Sequence, residues 1–244
     1  MFITRKSVMA REIRAADVSV QKPWIAATLY DRVDGGPMRT AADVSQKKAV
    51  GRYASQKNGR GQFWESRNEL HAFYGAEVST EIVKYRAQPH TLAIVISGKA
   101  RRYTPDRMDY LAGGRAEIVE IKDAYKPERD PDYHTKLEMA RVVYGHLGWS
   151  FRITNRDEIE SQPKFEAAKY IQSFRRTVVT PSDEDLVLNL LIQRGPVALA
   201  ELRALWASPA LGFAKMCALM VKRTINIAFE SGVSDDTPVH LVVS

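Results

Sequence analysis

The chain has 244 residues, of which 45% are hydrophobic, and a formal net charge of +7. That length buries one sizeable core, or a core with a small appendage. A transmembrane helix is excluded by the lack of any long apolar run, an internal disulfide framework and a multi-cysteine zinc site by the single Cys217, and a secretory leader by the polar start Met-Phe-Ile-Thr-Arg-Lys-Ser, so a cytoplasmic protein is expected.

The charge is unevenly spread. Residues 1–60 hold twelve Lys/Arg and five Asp/Glu, residues 61–181 nineteen and seventeen, and residues 182–244 five and seven. The basic excess is therefore N-terminal, and the C-terminal part is acidic. Lys47, Lys48, Arg52, Lys57 and Arg60 lie in one stretch without an acid. Such a stretch can neutralise DNA backbone phosphates or serve as a solvated arm.

In chain order, residues 1–45 carry weak signals. Arg11–Val20 can form a short helix, and Asp34-Gly35-Gly36-Pro37 is a loop. Phe63–Tyr74 predicts a helix with Phe63, Leu70, Phe73 and Tyr74 inward and with Glu65 and Glu69 on one face. Ile82–Tyr85 and Thr91–Ser97 are rich in β-branched residues and predict strands. Arg101–Thr104 and Met108–Leu111 continue a sheet to the Gly113-Gly114 turn, and Ala116–Lys122 follows as its hairpin partner. Pro127–Pro131 is a loop. Tyr133, Leu137, Ala140 and Tyr144 mark a helix ending near Gly145–Gly148, and Trp149, Phe151 and Ile153 alternate as a strand. This order predicts an α/β core with a mixed sheet.

Ser161–Pro181 is less regular and predicts a link. Three short helices are expected next: one capped by Ser182, then Val197–Trp206 and Ala210–Arg223. Thr224–Phe229 and Val239–Val243 predict two strands. Three helices and a two-stranded wing describe a winged-helix domain. Leu202, Leu205, Trp206 and Phe213 are expected to pack inside it.

Chemistry concentrates between Arg102 and Lys122. Asp106 follows a proline at the start of one strand, and Glu120-x-Lys122 ends the next. Side chains alternate along a strand, so Glu120 and Lys122 share one face with Ile118, while Val119 and Ile121 share the other. Carboxylates and a lysine so arranged suit a divalent cation and a phosphate. Spacing alone favours a solvent-facing pair over a catalytic one, and for Glu69 it favours a solvated helix face more strongly still.

The order of several blocks narrows this. Val50-Gly51-Arg52-Tyr53-Ala54-Ser55-Gln56-Lys57, Glu65-Ser66-Arg67-Asn68-Glu69, Tyr85-Arg86-Ala87-Gln88-Pro89, Tyr103-Thr104-Pro105-Asp106, Val119-Glu120-Ile121-Lys122 and Ile153-Thr154-Asn155-Arg156-Asp157-Glu158-Ile159 follow one another. From about residue 47 to 160 the chain resembles the TnsA endonuclease subunit of heteromeric, TnsABC-type transposons. The resemblance implies a restriction-endonuclease-like mixed sheet flanked by helices, with a C-terminal winged-helix domain. It divides the chain into a basic segment 1–60, a catalytic domain 61–165, a linker 166–181 and a winged helix 182–244.

Carried over by motif, the resemblance implies catalytic roles for Glu69, Asp106, Glu120 and Lys122. One or two Mg²⁺ ions, with Mn²⁺ as an in vitro substitute, would be held by Glu69, Asp106 and Glu120. Glu65 is the second candidate helix acid, and Gln88 has either a site role or a structural one. DNA contact is expected from Lys47, Lys48, Arg52, Lys57 and Arg60, while Lys126, Lys136 and Arg141, which follow the catalytic strand, either touch DNA or form a solvated helix face. The implied activity is nicking of the 5′ strand at transposon ends in double-stranded DNA, beside a TnsB-type DDE transposase and a TnsC-type AAA+ ATPase, in a bacterial cytoplasm and nucleoid. A stand-alone restriction or defence nuclease is the alternative. The acidic C-terminal part favours a protein-binding winged helix over a DNA-reading one.

Overall fold

The computed structural model describes residues 13–18, 25–39, 49–96 and 98–242. The chain runs β1 (Ile13–Val18), β2 (Ile25–Arg32), β3 (Gly51–Ser55), β4 (Arg60–Trp64), α1 (Arg67–Val78), β5 (Ile82–Ala87), β6 (His90–Ile96) and β7 (Lys99–Tyr103). It continues β8 (Arg107–Leu111), β9 (Ala116–Lys122), α2 (Pro131–His146), β10 (Ser150–Asn155), α3 (Arg156–Ile159) and α4 (Lys164–Ser173). Last come α5 (Pro181–Arg194), β11 (Val197–Ala198), α6 (Leu199–Arg203), α7 (Pro209–Val221), β12 (Ile225–Ile227) and β13 (Pro238–Leu241).

Two four-stranded sheets carry the first part, in the orders β1-β2-β6-β7 and β10-β9-β8-β5. The first is antiparallel throughout. In the second, β9 pairs antiparallel with β8 and parallel with β10, so that sheet is mixed. β9 is flanked on both edges and covered on both faces. That explains why its acid and apolar residues alike are buried from Ile118 to Ile121. Ile118 packs toward Leu137, Ala140 and Tyr144 of α2, whereas Val119 and Ile121 pack with Ala72 of α1. The two helices thus sandwich the strand. Asp31 of β2 binds Arg14 of β1 and Arg86 of β5, which ties the two sheets together.

The C-terminal part has its own core. Val187, Leu191, Leu199, Leu202, Phe213, Met216, Leu219, Ile225 and Val239 form it, and Cys217 is fully buried within it. Three helices cover a small sheet ordered β11-β13-β12. Asp183 joins α5 to α7 and to the loop between α6 and α7, because its carboxylate accepts from Lys215 Nζ at 2.5 Å, Trp206 Nε1 at 2.7 Å and Thr180 N at 2.9 Å.

Several elements differ from the sequence reading. Residues 13–18, expected within a helix, are a strand paired with β2. The segment 1–60, expected to stand apart, supplies β1, β2 and β3 and the first residue of β4. Phe63 lies on β4 rather than on a helix, since β3 and β4 close a hairpin over Asn58-Gly59, with Gly59 at φ 61°. Asn-Gly is a strong hairpin signal that the apolar spacing had masked. α1 begins only after Ser66, whose hydroxyl accepts from Glu69 N. The expected link contains α4, whose Ala167, Ala168 and Ile171 belong to the C-terminal core. Thr180, not Ser182, caps α5, with Pro181 in the first turn and Asp183 closing a capping box. The helix expected over Val197–Trp206 is a two-residue strand and a shorter helix.

Candidate active site

Asp106, Glu120, Lys122 and Glu69 line one open cleft of about 530 Å³, together with Glu65, Tyr103, Tyr133 and Lys136. Asp106 sits between β7 and β8 and is anchored twice. Its Oδ2 accepts from Ile121 N at 2.7 Å, and its carbonyl accepts from Gln88 N at 2.9 Å. Gln88 occupies the β5–β6 turn at φ 44°, a left-handed conformation uncommon for a residue with a side chain. Its own carbonyl accepts from Met38 N, so one strained, buried residue links the Asp106 loop to residues 36–39.

Glu120 is held from three directions. Tyr103 Oη donates to Oε2 at 2.6 Å, Tyr133 Oη donates to Oε1 at 2.5 Å, and Lys122 Nζ lies 2.6 Å from Oε1. Lys122 remains partly exposed, while Glu120 is buried. Glu69 sits at the N-terminal turn of α1. Its Oε2 accepts from Glu65 N at 2.9 Å and its Oε1 from the Ser66 hydroxyl at 3.0 Å. Glu65 faces the same cleft, with Oε2 paired to Arg39 and Oε1 buried without a partner among the described residues.

The carboxylates raise one another's proton affinity. Burial pushes the Asp106 carboxyl well above its ordinary range, and the charges of Glu120 and Glu69 push it the same way, against Lys122 and the Ile121 N–H. Burial also pushes Glu69 up to about 7, against the hydrogen bonds from Glu65 N and Ser66. Burial and the adjacent Glu120 charge raise the Tyr133 hydroxyl, so it stays a donor. A dication would relieve this crowding of negative charge, and hard oxygen donors match Mg²⁺. Among the described residues no three His, Cys, Asp or Glu side chains are grouped to hold a metal ion together. The expected set of Glu69, Asp106 and Glu120 is therefore not grouped as one metal cage, although all three line the cleft.

Of the expected DNA contacts, Lys47 and Lys48 lie outside the described residues. Arg52 and Arg60 are exposed on the β3–β4 hairpin, and Arg60 reaches the Asp34 carbonyl at 3.3 Å. Lys57 is turned inward instead. Its ammonium donates to the carbonyls of Ala76 and Ser79 at 3.0 and 2.5 Å, closing the C-terminal end of α1. Burial lowers that ammonium to about 7. The stretch without acids therefore splits between display and helix capping.

Three site residues escaped the sequence reading. Tyr103 was legible, since alternation along β7 and the adjacent Pro105-Asp106 point it toward the same cleft. Ser66 was legible as the first residue of a Ser-x-x-Glu cap. Tyr133 carried no such signal, because its helical spacing with Leu137 and Tyr144 reads as core.

A family model described as TnsA-like endonuclease N terminal matches residues 79–156. That span contains Tyr103, Asp106, Glu120, Lys122, Tyr133 and Lys136, and leaves Glu69 outside it. The match supports a TnsA-type transposon endonuclease, and with it a nuclease acting in a transposition system on DNA. No curated protein matches the chain. Among the described residues no helix is long and apolar enough to cross a membrane.

Proposed function

We propose, from this likeness to TnsA-type endonucleases, that the chain is a Mg²⁺-dependent DNA endonuclease subunit. It nicks the 5′ strand at transposon ends, beside a DDE transposase and an AAA+ regulator. The observation that carries the reading is the convergence of Asp106, Glu120 and Lys122 on one cleft within the matched span.

In this reading Asp106 and Glu120 would hold the ion, which would supply polarisation of the scissile phosphate and a bound water of lowered pKa. Tyr103 and Tyr133 fix the Glu120 carboxylate, so its orientation needs no rearrangement during reaction. Lys122 either orients the attacking water or stabilises charge developing on the phosphate. Its 2.6 Å contact with Glu120 keeps the ammonium beside the carboxylate. Glu69, hydrogen bonded at the helix start, is a further acid of the cleft that can accept a proton or engage a second ion.

The C-terminal residues are read as a winged helix that binds protein. Supporting this are the order of α5, β11, α6, α7, β12 and β13 and the excess of seven acids over five bases in residues 182–244. A DNA-reading unit is normally basic.

The test is a cleavage assay on DNA carrying a transposon end. It compares wild type with Asp106→Ala, in Mg²⁺ or Ca²⁺, with or without the transposase. Mg²⁺-dependent 5′ nicking that needs the transposase and vanishes in the variant supports the reading. Cutting at unrelated sites by the chain alone indicates a stand-alone nuclease. Partner binding without any cutting overturns the enzymatic assignment.

A further inference from the structure

We propose that Lys136 is a second substrate-binding cation of the cleft, gripping a DNA backbone phosphate next to the one that Lys122 serves. This rests on the nuclease reading and adds a residue to it. Asp130 caps α2 and Pro131 occupies its first turn, which fixes the helical register from that point. Tyr133 and Lys136, three residues apart, then share one face and line the catalytic cleft. Both Lys136 and Lys122 lie over the Tyr133 ring, with Nζ at 4.4 and 4.7 Å from its centroid. The same tyrosine donates to Glu120. One side chain therefore positions the carboxylate and supports both ammonium groups.

The two lysines differ in compensation. Lys122 has a carboxylate partner, Glu120, at 2.6 Å. Lys136 is half-buried, and among the described residues no carboxylate lies within ion-pair distance of it. Burial also lowers its ammonium from the ordinary lysine value. The Glu120 and Asp130 charges act on it without contact, so a half-buried cation over an aromatic face still gains from a ligand anion placed against it. The cleft carboxylates repel a phosphate, so a free cation on the rim is what lets one approach. Of the other cleft cations, Arg39 pairs with Glu65, and Arg102 is exposed rather than half-buried. Arg141 pairs with Glu138 and bonds the Phe151 carbonyl, and Lys126 is exposed outside the cleft lining.

The experiment measures binding of the full-length chain to a short random-sequence duplex across a salt series, in Ca²⁺ to prevent cutting. Wild type is compared with Lys136→Met, Lys136→Arg and, as a distant exposed control, Lys222→Gln. Methionine keeps the stem over the ring and removes the charge. Lys136→Met is expected to weaken binding about tenfold and to reduce the slope of log affinity against log salt by about one. Lys136→Arg keeps the slope, and Lys222→Gln matches wild type. Thermal unfolding reports whether each variant is folded. A folded Lys136→Met with wild-type affinity and slope overturns the proposal while leaving the nuclease reading intact. Wild type that shows no salt-dependent binding at all also overturns the proposal, whereas the nuclease reading stands or falls with the transposase-assisted cleavage assay.

Discussion

Tyr133, on α2, donates its hydroxyl to Glu120, on β9, across 2.5 Å. The acid of the Glu-x-Lys pair is thereby gripped from outside its own sheet. Helix α2 packs on one face of β9 through Leu137, Ala140 and Tyr144, so the grip is as rigid as that packing. Replacing Tyr133 by Phe keeps the ring and removes the donor. Because Glu120 is buried, its oxygen would lose a partner that water replaces poorly. Tyr133→Phe is expected to cost about 1–3 kcal/mol in urea unfolding. It should also slow cleavage about tenfold or more with the fold retained, since supports of this kind commonly carry such factors. Wild-type rates in a folded variant would show that the hydroxyl is dispensable.

Metal binding should be visible without catalysis. A ligand present at one hundred times its Kd stabilises the folded state by about 2.7 kcal/mol, here about 5–10 °C in thermal unfolding. Wild type is expected to gain such a shift on Mg²⁺ titration. Asp106→Asn keeps an oxygen for the Ile121 N–H but removes the charge, and should lose the shift. Equal shifts in the two proteins would place the ion elsewhere.

Stability should depend on pH through the cleft acids. Burial raises Glu69 to about 7 in the folded chain. The folded state then holds the proton more tightly than the unfolded state does. Stability is therefore full below the unfolded carboxylate value and is lost as pH rises through the folded one. Metal-free protein should weaken between about pH 4.5 and about pH 7, and urea midpoints over that range would register it. Asp106 is shifted the same way by burial and its acidic neighbours, so it extends the trend. Glu69→Gln retains groups for Glu65 N and Ser66, and should flatten part of the slope. An unchanged slope in this variant would exclude Glu69 as a source.

Asp183 gives a prediction remote from the cleft. It closes the α5 capping box and accepts from Lys215 and Trp206, joining three elements. Asp183→Ala should destabilise the chain by about 2 kcal/mol or more, from the lost cap and two orphaned donors. Nuclease activity per folded molecule should not change if the C-terminal unit serves partners rather than chemistry. Chemical unfolding and cleavage rates on the same preparation test both halves.

The sequence by itself determined the elements whose signals are local. Strand β9 has the limits read from Ala116 to Lys122, because the Gly113-Gly114 turn bounds it and β-branched residues fill it. Alternation sent Ile118 toward α2 and Val119 and Ile121 toward α1, as the period of a strand requires. Asp106 was singled out beside a proline, whereas its hydrogen bond from Ile121 N appears only in the structure. Where two local signals competed, the stronger chemistry won. Asn58-Gly59 and the Ser66 cap overrode the helical spacing that began at Phe63.

Only the tertiary structure decided the rest. Glu69 and Glu65 both line the cleft and take different partners, the Ser66 hydroxyl for one and Arg39 for the other. Lys57 left the basic stretch because the end of α1 offered it two carbonyls. Tyr133 and Lys136 entered the cleft because α2 brings Tyr133 to Glu120 of β9, a contact between segments with no shared motif. Local preferences act over a few residues. The choice of which charged side chain is desolvated, and beside which partner, is made only when distant segments pack together.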